Sequence, residues 1–384
     1  MRIVVAPDSF KGALTAAQAA AAIADGVRDI RPDAETVPRP MADGGEGTVE
    51  AVLTALDGRR QTATVADPLG RPVEAGWGWV PDRRLAVIEM AAASGLPLLA
   101  DAERDPTRTT TFGTGQLIAA ALDRGAAEIV IGLGGSATVD AGTGILAALG
   151  ARLLDADGRD LEARGGSLRA VARLDTAGLD PRLRGVALTL ATDVTNPLLG
   201  PDGAARVFGP QKGLAPDRVD DVEAAMAHFA GVVMETTGRD ARDAPGSGAA
   251  GGIAFLLRSV LDVAVRDGIA LVAELAGLGE AVRGADLVVT GEGKLDSQSL
   301  YGKVPVGVAR IARNAGVPAA AFAGAVEGDP AAFRAEGLAA VVPLPDRPMT
   351  LDQAMAETGP LLRRAAARFM AALELGRSLG ERRL

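Results

Sequence analysis

The chain has 384 residues, enough for two domains or one large one, and 48% of them are hydrophobic while only 3% are aromatic. Its cores must therefore be built from Ala, Leu, Val and Ile. A net charge of −9 argues against a nucleic-acid or anionic-membrane partner, and the absence of cysteine excludes disulfides, thiol catalysis and thiolate zinc sites.

In chain order, Ile3–Ala6 reads as a first strand, followed by the loop PDSFKGAL. Thr15-x-x-Gln18 is a capping-box pattern that opens an alanine-rich helix ending by Arg31-Pro32. A strand near Glu35–Pro38 leads into MADGGEGT and a helix ending at Gly58. Residues 61–90 alternate as a β-meander with a turn at Pro68-Leu69-Gly70. Then come a helix over Thr114–Arg124, a strand over Glu128–Gly132, the glycine-rich GLGGSATVDAGTG and a helix to Gly150. A strand over Val186–Thr192 runs into DVTNPLLG, residues 201–245 are helical, and GSGAAGG opens a helix through about Val265. The remainder predicts strand Asp286–Thr290, helix Val304–Asn314, strands Pro318–Ala323 and Ala339–Val342, and a terminal helix from Leu351. Such alternation predicts α/β architecture with parallel sheets. Both termini share this rhythm while the middle carries the meander. The division that follows is a discontinuous domain of residues 1–60 and 284–384 with residues 61–283 inserted. No stretch is long and apolar enough to span a bilayer, and MRIVVAPDSFKG becomes charged too soon for a signal peptide. A soluble cytoplasmic protein is the default expectation.

The chemistry is bounded by what is scarce. His228 is the single histidine, in the apolar helical pattern VEAAMAHFAGVV with no G-x-S-x-G elbow nearby, so acid–base work falls to carboxylates. There are four lysines against thirty-six arginines, and each lysine adjoins a glycine: Lys11-Gly12, Lys212-Gly213, Gly293-Lys294 and Gly302-Lys303. A compact, rotatable ammonium suits a phosphate as a point charge in a way a planar guanidinium does not. Three loops that follow strands combine acids with glycine or lysine, Ala6–Gly12, Met41–Thr48 and Thr290–Ser297, and a fourth, Thr192–Pro197, carries Asp193 and Asn196. Ligands bind at such strand ends in α/β sheets. Interleaved carboxylates would repel a phosphate unless a cation such as Mg²⁺ sat between them. Gly134-Gly135-Ser136 follows a strand and opens a helix, a fair phosphate cradle. Gly246–Gly251 matches G-x-G-x-x-G but follows ARDAP rather than a strand, so it fails the dinucleotide context, and no P-loop is present. The residues alone therefore point to a Mg²⁺-dependent enzyme handling phosphates, and leave the acceptor open.

At these motifs the chain closely resembles the bacterial glycerate kinases of the first type, the glycerate 2-kinases. The likeness rests on APDSFKGALTA, MADGGEGT, IEMAAASGL, TTTFGTGQLI, GLGGSATVDAGTG, DVTNPLLGPDGAARVFGPQKG, GSGAAGG and VVTGEGKLDSQSLYGKVP, in the family's order over residues 1 to about 345. Val139 and Thr192 depart from the Asn and Cys that family members often carry there. The resemblance implies ATP-dependent phosphorylation of D-glycerate at the 2-hydroxyl. It also implies a Rossmann-like discontinuous domain, a second mixed-sheet α/β domain inserted into it, and a site in the cleft between them. Carried onto this sequence, it gives Asp193, Lys11 and Asp8 catalytic roles, Asp193 orienting or deprotonating the glycerate hydroxyl. Ser9, Gly12, Gly44, Gly45, Gly134, Gly135, Ser136, Lys294 and Lys303 fall to ATP. Asp43, Glu46, Asn196 and Lys212 fall to the substrate, and Glu292 and Asp296 to Mg²⁺. Small molecules are the expected partners, with a homo-oligomer left open. A glycerate 3-kinase, a kinase of another small hydroxy acid and an NAD-dependent oxidoreductase are the competing functions.

Overall fold

The structure is a computed structural model that describes residues 1–301 and 303–381; Gly302, the glycine beside Lys303, lies outside the described residues. Thirteen strands form among the described residues. They are β1 (Arg2–Val5), β2 (Glu35–Pro38), β3 (Arg59–Ala66), β4 (Pro72–Val80), β5 (Leu85–Glu89), β6 (Glu128–Gly132), β7 (Arg152–Leu154), β8 (Arg173–Asp175), β9 (Ala187–Ala191), β10 (Val263–Arg266), β11 (Leu287–Leu295), β12 (Ala319–Val326) and β13 (Leu338–Pro343). Two compact units divide the chain: Met1–Asp43, Glu50–Leu56 and Ile269–Leu384 form the first, Gly44–Val49 and Asp57–Gly268 the second. Ile269, Val272, Leu278 and Val282 belong to the first unit's core, although the sequence division ends the insert at 283.

The first unit is a parallel sheet in the order β13-β12-β11-β1-β2. Winding reverses between β1 and β11, which makes their carboxyl ends a topological switch point of a doubly wound sheet. Alternating β1 side chains serve opposite faces. Val4 and Ala6 join Val288, Ala321 and helix Val304–Asn314 on one side; Ile3 and Val5 join Phe322 and helices Ala16–Ile30 and Thr358–Glu381 on the other. Both faces are covered, so β1, the first half of β11 and β12 read as continuous apolar runs rather than alternating. The helix Ala16–Ile30 starts where its cap predicts, with Thr15 accepting from the Gln18 amide and Gln18 returning the bond.

The second unit holds a six-stranded mixed sheet in the order β10-β9-β6-β5-β4-β3, plus the β7–β8 pair. β3, β4 and β5 are antiparallel, the meander expected over 61–90, while β5, β6, β9 and β10 run parallel. Two local readings change. The helix expected through Val265 stops at Val260, and the β-branched Val263 and Val265 pair with β9 as an edge strand. A neighbouring strand edge here outweighs helical continuation. β11 extends to Leu295, so Glu292 and Lys294 stand on a strand and not in a loop; Lys294 and Leu295 pair with Ala325 and Val326. The short, charged strands β7 and β8 carry too little apolar pattern to announce themselves.

Candidate functional site

In the first unit, the loop after β1 is anchored across the switch point. The Asp8 amide donates to the Gly291 carbonyl (2.8 Å), the Ser9 amide to Asp8 Oδ1 (2.6 Å), and buried Phe10 closes a turn onto Leu14. Beside this loop lies a cavity of about 390 Å³, in the range of small-molecule sites. One end is polar: Asp8, Ser9, Lys11 and Asp43 face Glu292, Lys294 and Lys303 around it. Asp8 is only 6% exposed, and burial, reinforced by the neighbouring Asp43 carboxylate, pushes its carboxyl up to about 8. Burial likewise pushes Glu292 up to about 7, against the opposing pull of Lys303 and a Ser299 hydrogen bond. Ser9 Oγ is buried with no hydrogen-bond partner. These are groups that a phosphate–cation ligand would satisfy.

Ser299, fully buried and missed in the sequence, organises the acids. Its hydroxyl donates to Glu292 Oε1 (2.9 Å) and accepts from the Asp296 amide (3.1 Å), while its own amide donates to Asp296 Oδ1 (3.2 Å). Lys303 Nζ lies 3.9 Å from Glu292 Oε2 and 3.6 Å from Asp296 Oδ1; Lys294 pairs with Glu327 at 2.8 Å and lies 3.8 Å from Asp296 Oδ2. Among the described residues no group of three or more His, Asp or Glu forms a ready metal cage. Two carboxylates completed by phosphates and water are nevertheless a common Mg²⁺ arrangement. Gly12 (φ +75°) does not line the cavity; a Cβ there would fall 2.9 Å from Met355 Cε. The cavity's apolar wall, with Leu344, Pro345, Leu351, Met355 and Leu361, was also missed, since it lies beyond the recognised motifs.

In the second unit, Gly134, Gly135 and Ser136 follow β6, Asp193 and Asn196 follow β9, Gly44, Gly45 and Glu46 precede helix Thr48–Ala55, and Lys212 ends the 3-10 turn Pro210–Lys212. Gly134 needs its bare Cα because a Cβ would fall 2.5 Å from Gly45 Cα. The loop carrying Glu46 is pinned by Glu89, whose Oε1 accepts the Val49 amide (2.8 Å) and whose carboxyl is raised by burial. Asp193 Oδ1 accepts the Gly268 amide (2.8 Å), and Asn196 Nδ2 donates to the Asp202 carbonyl (2.8 Å).

Lys212 and Ser136, remote in sequence, meet. Lys212 is 2% exposed and its Nζ donates to Ser136 Oγ (3.1 Å) and the Thr138 carbonyl (2.7 Å). Burial pushes its ammonium down to about 7, against the attraction of Asp140. Asp140 is itself fully buried and accepts from Thr111 N, Thr111 Oγ1, Gly142 N and Gly144 N. Lys212 thus binds the glycine-rich loop internally. The formal G-x-G-x-x-G is a packing device: a Cβ on Gly248 or Gly251 would strike the Pro197 or Thr138 carbonyl at 2.3 or 2.1 Å. His228 Nε2 bonds the Val171 carbonyl at 2.8 Å, a structural histidine.

A doubly wound sheet with acids, lysines and an unpartnered hydroxyl around a switch-point cavity defines an α/β enzyme of the phosphate-handling class. Residues 3–374 match the glycerate kinase family. The chain is 45% identical over 376 residues to glycerate 2-kinase of Escherichia coli (strain K12), covering 98% of this chain and 99% of that one. It is 44% identical to glycerate kinase of Bacillus subtilis (strain 168), with 99% of each covered. The crystal structure of a protein named glycerate kinase 2 from Salmonella typhimurium LT2 superposes with a TM-score of 0.88 at 44% identity, over 98% of this chain and 99% of that one. The chain belongs to the glycerate kinase family, and with it to the phosphotransferases. Among the described residues no helix is long and apolar enough to cross a membrane.

Proposed function

We propose that the chain is an ATP-dependent glycerate kinase of the cytoplasm that converts D-glycerate to 2-phospho-D-glycerate. The family and the name of the Escherichia coli relative support the reaction and its position. The observation that carries nucleotide use is the first unit's cavity. There, buried Asp8 and Glu292 hold their protons unusually tightly and Ser9 Oγ lacks a partner beside three lysines.

Phosphoryl transfer is mostly positioning and charge neutralisation, so few side chains suffice. Lys11, with Asp8 and Ser9 of its loop, is the proposed holder of the transferring phosphoryl, Gly12 shaping the turn outside the cavity, and Lys294 and Lys303 supply further positive charge. Glu292 and Asp296 fit a Mg²⁺ ion, which would neutralise phosphate charge; Ser299 sets their orientation. Asp193 is the proposed base. The glycerate 2-hydroxyl oxygen attacks the γ-phosphorus, its proton passes to Asp193, and the bond to the β–γ bridging oxygen breaks to release ADP. Asp43, Glu46 and Asn196 are assigned to the substrate, and Gly44, Gly45, Gly134 and Gly135 to backbone contacts with anionic groups. Lys212 was a candidate for the glycerate carboxylate, but its burial and two internal bonds favour holding Ser136 and Thr138 instead.

ADP release from Mg-ATP is expected only with glycerate present, D-glycerate being the better isomer. Glycerate-independent turnover, or none, would overturn the reading. Phosphorus NMR of the product should show the 2-phosphate, and the 3-phosphate would correct the regiochemistry alone.

A further inference from the structure

The described cavity has two chemically distinct ends, and the proposed function uses only one of them. Beyond the acids and lysines, Leu344, Pro345, Leu351, Ala354, Met355 and Leu361 line the cavity as an apolar wall with a single polar side chain, Thr358. Its hydroxyl already bonds the Ala354 and Met355 carbonyls, both at 2.9 Å. Several backbone donors along this wall are similarly engaged. The Leu344 amide donates to the Ala323 carbonyl (2.9 Å), the Ala354 amide to the Thr350 carbonyl (3.0 Å), and Pro343 and Pro345 have no N–H.

The two ends are physically joined, because Met355 Cε lies against Gly12, so that a Cβ there would stand only 2.9 Å from it. A ligand with a polyanionic end and a flat apolar end matches the cavity's polarity. Met is a soft, polarizable contact for an aromatic ring, and Leu351 is 73% exposed, so it has apolar surface still to bury. We propose that this wall seats the nucleobase of the phosphoryl donor and, with no free polar side chain to meet its edge, selects only weakly among bases. The proposal rests on the nucleotide-binding reading above.

A site built to hydrogen-bond a substrate rejects an analogue by four or five orders of magnitude, whereas an apolar surface reaches only about a hundredfold. The test is displacement of a fluorescent, ribose-labelled ADP from the full chain by ADP, GDP, CDP and inorganic tripolyphosphate, without glycerate. ADP and GDP should differ by less than about a hundredfold, and tripolyphosphate should bind at least about tenfold more weakly than ADP. Leu351→Ser and Met355→Ala should each weaken ADP at least about fivefold and leave tripolyphosphate unchanged, with thermal midpoints measured alongside. Unchanged ADP affinity in both variants would overturn the base seat, and a preference for ADP above about a hundredfold would overturn weak selection. Failure of glycerate turnover with normal displacement would sink the kinase reading and leave the base seat intact.

Discussion

The two units place similar glycine-and-acid loops around ionisable groups, yet treat charge in opposite ways. In the first, Asp8 and Glu292 are buried beside a cavity and raised toward neutrality, and Ser9 Oγ beside them has no hydrogen-bond partner. In the second, buried Asp140 accepts four hydrogen bonds and buried Lys212 makes two. A buried polar network that is satisfied internally rigidifies a loop, whereas one left incomplete awaits a ligand. That contrast separates a positioning lysine from a ligand lysine better than its sequence neighbours do, since all four lysines adjoin glycine.

The largest effect should come from Asp193→Asn, which removes the proposed base and should lower kcat at least about a hundredfold in an ADP-release assay. A near-wild-type rate would move catalysis out of the second unit's loops. Lys11→Ala should raise KM for Mg-ATP at least about tenfold, and Lys11→Arg should restore only part of it, because a planar fork cannot replace a point charge on phosphate. Equal recovery by arginine would break the argument from lysine scarcity.

Lys212→Met tests the other side of the comparison. It should destabilise the second unit by about 1–3 kcal/mol, the usual cost of stranding buried acceptors, while affecting KM for glycerate little. Both tryptophans, Trp77 and Trp79, lie on β4, so fluorescence-monitored urea unfolding reports this unit. The folded ammonium titrates at about 7, below its ordinary 10.5, so the unfolded state binds the proton more tightly between those values. Stability of the second unit should therefore rise as pH goes from about 7 to 10.5, and Lys212→Met should flatten that rise. Asp8 has the opposite sign. Its folded carboxyl is raised from 3.8 to about 8, so stability of the metal-free first unit should fall as pH climbs through that window. The smallest effect is expected for Ser299→Ala. Loss of one hydrogen bond to Glu292 should cost about 1 kcal/mol, seen as a several-fold drop in kcat/KM and weaker Mn²⁺ binding by paramagnetic resonance, both rescued by Ser299→Thr. Unaltered Mn²⁺ binding would release Ser299 from its positioning role.

Much of this protein is fixed by local chemistry and is legible without coordinates. The Thr15–Gln18 cap, the apolar runs of β1 and β6, the alternation over 61–90 and the glycine- and acid-rich loops are all written in residues close together along the chain. Their motifs also carry the family. Tertiary structure decided what depends on partners distant in the chain. β11 extends through Glu292 because β12 pairs with it, and Val263–Arg266 is a strand because β9 offers an edge. Lys212 is an internal strut because Ser136 and Thr138, more than seventy residues away, meet it. The apolar wall of the cavity joins Leu344 and Met355 to a loop at residue 12 that no sequence spacing connects. Spacing along a chain reports hydrogen bonds and turns within it; desolvation and cavity shape arise only where separate segments exclude water together.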